Sequence, residues 1–321
     1  MFKYICKRIT QMILVLVIVS IATFTLIKVA PGDVLNAYIS PTLTAEEVEQ
    51  IKEDLGLDKS NVEQYLSWLN NVLHGNWGYS HVNHQSVKNQ IEEKLPATIG
   101  LMGTALIFSL LVAIPLGLIS GVKRNGIIDN IVSFFSYISI SIPGFWFGIL
   151  LIMLFALKLK WLPASGMHSI GEKGFLDLVK HAILPILVVS VGQIGVYARY
   201  VRANTVSQME EEYVLTAVSK GTSPMKILFR HVLKNCMLPI ITLVGMSLVN
   251  LVTGSFIIES VFGWPGIGTF SITSLNNRDY PVVMAITMLS CTVLVVGIFL
   301  SDILYTLIDP RIKTKGQASY E

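Results

Sequence analysis

His81 and His84 stand three residues apart, a spacing that could suit a metal ion. Their surroundings argue against one: the stretch is loop-like, carries Asn and Gly, and offers no Cys or acidic partner. Cys6, Cys236 and Cys291 are scattered, form no CxxC pair and are odd in number, so neither a zinc site nor a disulfide framework is expected. HExxH is absent, and so is GxxxxGK[ST]; the chain has no Gly-Lys pair at all. No catalytic residue, no metal site and no bound cofactor is therefore expected. Any nucleotide chemistry would belong to a separate ATPase.

The composition explains the shortage of reactive groups. Of 321 residues, 52% are hydrophobic and only 14% charged, where soluble chains carry about 25% charged residues. Mean hydropathy is +0.62. Too few charges exist to cover a soluble surface, so a membrane protein is expected, surrounded by lipid. Disorder, a coiled coil and a nucleic-acid binder are poor fits.

Six uncharged apolar runs approach or exceed the roughly 20 residues that cross a bilayer: 9–27, 97–122, 131–157, 182–198, 236–258 and 282–301. The fourth is short and extends to Val201, with Arg199 snorkelling at the membrane edge. The first is too long for a signal-peptide core and ends without a small-x-small cleavage site, which predicts a retained span. With the N-terminus inside, inner segments hold 14 Lys/Arg in 73 residues and outer segments 10 in 116. That asymmetry places both termini in the cytoplasm. None of the six runs contains Asp, Glu, Lys, Arg or His. A proton- or ion-coupled transporter usually needs such a group at membrane depth, so active transport here would draw its energy from outside the membrane.

Between the runs, Thr44-Ala45-Glu46-Glu47 and Ser60-Asn61-Val62-Glu63 read as capping boxes opening two helices of an outer cap. A third helix is expected from Ser86 to Leu95, with Pro96 marking the start of the next span. Pro143-Gly144 should bend the third span. Either small residues pack helices there, or the bend flanks a translocation path with Phe145 or Trp146 near it. In the long inner segment 199–235, a short helix through Val214–Lys220 should stop at Gly221 and restart at Ser223-Pro224. Its apolar residues Tyr213, Leu215, Ala217 and Met225 form either a docking knob or an ordinary amphipathic linker.

This segment carries a resemblance. Leu215-Thr216-Ala217-x3-Gly221, followed by Arg230-His231-x-Leu233-Lys234-Asn235-x3-Pro239, resembles the EAA loop of ABC-importer permeases of the dipeptide/oligopeptide/nickel branch. Leu215 stands at the glutamate position and Thr216 at the first alanine, so the carboxylate's role is absent. The likeness runs almost end to end, through Ala30-Pro31-Gly32-Asp33, Leu55-Gly56-Leu57-Asp58, Leu95-Pro96-Ala97-Thr98, Trp161-Leu162-Pro163-Ala164-Ser165-Gly166, Phe262-Gly263-Trp264-Pro265-Gly266-Ile267-Gly268, Arg278-Asp279-Tyr280-Pro281 and Asp309-Pro310-Arg311.

The resemblance implies an all-α polytopic protein with six transmembrane helices and the type I ABC importer permease fold. Its parts would be 1–94 (first span and outer helical segment), 95–308 (five-helix permease core with the EAA-like loop 199–235) and a cytoplasmic tail, 309–321. It implies a pore of two homologous permeases, a heterodimer in this reading, in a bacterial or archaeal plasma membrane. Two cytosolic ATPase subunits holding ATP and Mg and an extracytoplasmic binding protein would complete the importer. The ATPase would grip a coupling helix formed by Tyr213, Leu215, Thr216, Ala217, Lys220, Gly221, Pro224 and Met225. Pro143, Phe145, Trp146, Trp264, Pro265 and Gly266 would lie along the path or its outer gate. Peptides are the first cargo implied, nickel or a metal chelate the second. A passive channel or a membrane scaffold are the readings outside active transport.

Overall fold

The computed structural model describes residues 2–29, 44–54, 56, 58–172 and 174–308. The Ala30–Asp33 and Asp309–Arg311 motifs, Leu55, Leu57 and the tail 309–321 lie outside these. Thirteen α-helices occur among the described residues, and no strand beyond one isolated bridge, Tyr79 to Ser86.

Helices α1 (Phe2–Val29), α4 (Val87–Val122), α7 (Phe175–Met209), α10 (Leu233–Thr253) with α11 (Phe256–Val261), and α13 (Tyr280–Ile308) are long and apolar enough to cross a membrane. The third expected span is a bent pair, α5 (Ile127–Ser141) and α6 (Gly144–Leu151), the latter running on as a π-helical stretch, Ile152–Lys158. The two arms meet at 98°. Pro143 supplies the bend, because it cannot donate and holds Ile142 in an extended conformation.

The expected separate helix from Ser86 to Leu95 is instead the first part of α4, which runs 36 residues through Pro96 and Pro115. Each proline deletes one hydrogen bond of a long ladder, and packing on both sides keeps the helix continuous. The cap contains α2 (Ala45–Asp54) and α3 (Asn61–Leu73). The Ser60 capping box forms as expected: Ser60 Oγ accepts from the Glu63 amide while the Glu63 carboxylate accepts from the Ser60 amide. Tyr65 fastens α3 to the first span through a 2.7 Å hydroxyl contact with Ser20 and an edge-on stack against Phe24.

The bundle is built on α4 against α7. Its apolar faces gain little from each other in lipid, so close approach of small residues carries the packing. A Cβ on Gly117 would sit 2.5 Å from Val201 Cβ, and one on Gly121 2.5 Å from Thr205 Cβ. Gly195 admits α5 in the same way, its missing Cβ lying 2.8 Å from the Ser136 carbonyl.

Candidate functional site

Between α7 and α10 the chain turns twice. Helix α8 (Glu212–Ser219) ends in a Schellman motif: the Gly221 amide donates to the Val218 carbonyl at 2.8 Å and Thr222 to Ala217 at 3.1 Å. Gly221 sits at φ +75°, the left-handed region that favours glycine. Ser223 then precedes α9 (Pro224–Ile227), which passes through a π-helical turn, Leu228–Val232, into α10. Proline at N1 is pre-set for that restart.

This elbow has two faces. Val214, Ile227, Leu228 and Val232 are buried in one cluster with Leu118 of α4 and Val201 of α7. Leu215, Val218, Met225 and Phe229 point away from it and are each more than half exposed. Thr216, Lys220, Gly221 and Pro224 are exposed as well. Tyr213 and Ala217, expected on the docking side, are half-buried and pack onto the core cluster. The Tyr213 hydroxyl donates to Gln208 at 2.8 Å and accepts from Asn235 at 3.3 Å, and burial pushes its phenol pKa up. Val218 and Phe229 join this exposed face although the sequence analysis does not single them out; the signal for them is spacing, one helical turn from Leu215 and Met225 respectively.

A strut ties the stem of the elbow to the turn between α4 and α5. Arg202 forks onto Asp129 through Nε and through Nη2, the latter at 2.7 Å, and the Asn125 amide donates to the same carboxylate at 2.9 Å. Arg124 bonds Glu210 at 2.7 Å nearby. A bidentate guanidinium–carboxylate pair fixes orientation as well as distance. The pair joins the end of α7 that leads into the elbow to the start of α5.

At the opposite end of α10 the Phe262–Gly268 segment folds over a buried carboxylate. Glu259 is fully buried and accepts from Thr98 Oγ1 at 3.0 Å and the Thr269 amide at 3.2 Å. Thr98 Oγ1 in turn accepts from the Ile267 amide at 2.8 Å. A Cβ on Gly266 would lie 2.5 Å from Glu259 Oε2, so the motif needs glycine there. Trp264 is buried and donates from Nε1 to the Ala97 carbonyl at 3.0 Å. It pins the loop to α4, while Pro265 is exposed. Pro143, Phe145 and Trp146 lie exposed at the bend. The helix after the bend packs on the element that carries the second expected gate group: a Cβ on Gly144 would lie 3.4 Å from Ile258 and one on Gly148 3.2 Å from Phe262. Glu259 escaped the sequence reading because it falls one residue past the fifth apolar run.

No metal-holding group of three or more His, Cys, Asp or Glu side chains occurs among the described residues. Asp177 collects the Ser169 amide at 2.9 Å, Ser169 Oγ at 2.8 Å and His168 Nδ1 at 3.1 Å, which closes the loop before α7.

Long apolar helices, one of them broken, with an elbow that is apolar inside and out, define a multi-pass membrane permease. Residues 113–314 match the family described as "Binding-protein-dependent transport system inner membrane component", and residues 1–102 match the N-terminal part of such components. The chain belongs to this family: it is an inner-membrane permease subunit of an ABC importer, and the ATPase is a separate subunit. It is 36% identical over 315 residues to the oligopeptide transport system permease protein AppB of Bacillus subtilis, covering 98% of this chain and 100% of the relative. The di/tripeptide permease DppB of Pseudomonas aeruginosa is 34% identical over 337 residues, covering 98% and 99%. The glutathione permease GsiC of Escherichia coli is 32% identical over 315 residues, covering 98% and 100%. A solved inward-facing MetNI methionine ABC transporter superposes with a TM-score of 0.51 at 18% identity, over 68% of this chain and 96% of that one. That likeness shows the type I importer permease fold.

Gly221→Val should strain the turn by about 1–2 kcal/mol, the cost of a left-handed L-residue, with no clash, since nothing lies within 4 Å of a Cβ there. The expected result is a folded permease with a looser elbow: ATP hydrolysed per substrate imported rises, measured in proteoliposomes. Unchanged stoichiometry would show that the turn geometry is irrelevant to coupling.

Proposed function

We propose that this chain forms half of the translocation path of a peptide importer. The observation that carries the cargo assignment is the end-to-end similarity to permeases named for oligopeptides, di/tripeptides and glutathione. Nickel, the second cargo considered, gains nothing from those names. An extracytoplasmic binding protein delivers the peptide, and a second, homologous permease supplies the other wall. ATP and Mg sit on two cytosolic ATPase subunits. Both termini and the elbow face the cytoplasm of a bacterial or archaeal cell.

In this reading the exposed face of Leu215, Val218, Met225 and Phe229 docks in an ATPase groove. Closure of the ATPase pair moves the elbow, and because Val214 and Ile227 are locked into the core with α4 and α7, the movement rocks the bundle as a body. A passive channel or scaffold would leave that apolar face uncovered. The test is uptake by proteoliposomes holding both permeases, the ATPases and the binding protein. ATP-dependent accumulation of a labelled peptide, abolished by omitting the ATPases, is expected. Uphill accumulation without any ATPase would sink the reading.

A further inference from the structure

We propose that a furrow along one face of α7, flanked by α10 and α11 beside the bend and by α5 toward the elbow, is the peptide's path on this subunit, with Gln193 and Asn250 donating to the cargo's backbone carbonyls. The inference rests on the peptide-import reading above. Two cavities carry it. One of about 490 Å³ is lined by the polar Gln193, Asn250 and Thr253 together with apolar groups such as Met102, Val188 and Phe256, and is open on one side. The other, about 440 Å³, lies nearer the elbow and is lined by Ser133, Tyr137, Val196 and Arg199 among others.

The two are stacked along shared helix faces. On α7, positions 189, 192, 193, 196, 199, 200 and 203 recur every three or four residues, which is one stripe. On α5 the stripe is 133, 137 and 140, and Gly144 continues it across the bend. The two cavities thus follow one another along this face of α7, from the bend toward the elbow end, where Arg199 lies over the Tyr137 ring at 4.9 Å and Arg202 is held by Asp129.

The amides indicate what occupies it. The Gln193 amide meets Ser109 Oγ at 3.0 Å, while the single hydroxyl proton of Ser109 has the Ala105 carbonyl at 2.6 Å; the contact fixes the plane of the amide and leaves at least one of its two N–H groups without a protein partner among the described residues. The Asn250 side chain is exposed and likewise has no hydrogen-bond partner among the described residues. An unsatisfied donor facing lipid costs several kcal/mol, so these groups belong to a wet surface. Peptides present an acceptor carbonyl about every 3.5 Å of extended chain. Neutral amides read that backbone without selecting side-chain charge, which suits cargo of varied sequence.

The test uses the complete importer. The Gln193→Leu, Asn250→Leu double variant is expected to lower peptide uptake at least tenfold while ATPase stimulation by loaded binding protein stays unchanged. A photo-crosslinking residue at Val196 should capture labelled peptide during turnover, and one at Phe134, on the exposed face outside the furrow, should not. Unchanged uptake, capture at Phe134 alone, or uptake and ATPase stimulation falling together as in a packing defect would overturn the inference. If the unmodified importer moved no peptide, the cargo reading itself would fall; import by the unmodified protein with indifferent variants overturns the furrow alone.

Discussion

Leu215→Asp combined with Met225→Asp is expected to abolish ATP-driven uptake while the permease remains folded. Both side chains are exposed, at 60% and 63%, and neither helps to fill the core cluster beneath the elbow. Surface substitutions of this kind usually change stability by about 0.5 kcal/mol or less. Against an ATPase groove the same change buries two carboxylates among apolar groups. Uncompensated burial of charge costs several kcal/mol per ion, and each 1.4 kcal/mol weakens association about tenfold. The expected drop in ATPase affinity is thus at least a hundredfold, read by copurification and by uptake. Retained binding would place the ATPase elsewhere on the chain. The contrasting pair is Tyr213 and Ala217: their replacement should unfold the elbow rather than merely undock it, because both pack inward.

The second large effect belongs to Glu259. Glu259→Ala removes the acceptor for the fully buried Thr98 Oγ1 and for the partly buried Thr269 amide. Leaving a buried donor unpaired costs about 1–3 kcal/mol, so a loss of about 2–6 kcal/mol is expected, against a native margin of about 5–15 kcal/mol. Thermal unfolding in detergent should show a marked fall in midpoint, with loss of uptake. Glu259→Gln keeps an acceptor oxygen and should be the milder change. If alanine and glutamine behaved alike and close to the unmodified protein, the carboxylate would not be organising the loop. Trp264 belongs to the same arrangement, since its indole holds that loop to α4.

The elbow was partly legible in the chain without its fold, and the Glu259 site was not. Ser60 and Glu63 announced their capping box because every participant lies within four residues. The stop at Gly221 and restart at Pro224 were legible for the same reason: a left-handed glycine and an N1 proline act on their own backbone. Pro143 predicted a bend, but the 98° angle appears only in the fold, where α6 packs against α7 and α11. Pro96 misled, since a proline can be absorbed in a helix that neighbours hold straight.

What the amino-acid order determined by itself was local or summed: the apolar spans, their positive-inside bias, the lack of any ATP-binding loop, and the likeness to binding-protein-dependent permeases. Only the tertiary structure decided which side of each helix is which. It turned Tyr213 inward and Phe229 outward, set Glu259 beneath Thr98 across 161 positions of chain, joined Arg202 to Asp129, and lined up Gln193 with the bend at Gly144. The physical reason is that span hydropathy depends on residue totals. A lipid-facing side, a packed side and a wetted side of a transmembrane helix can share nearly the same composition, and only the neighbouring helices distinguish them.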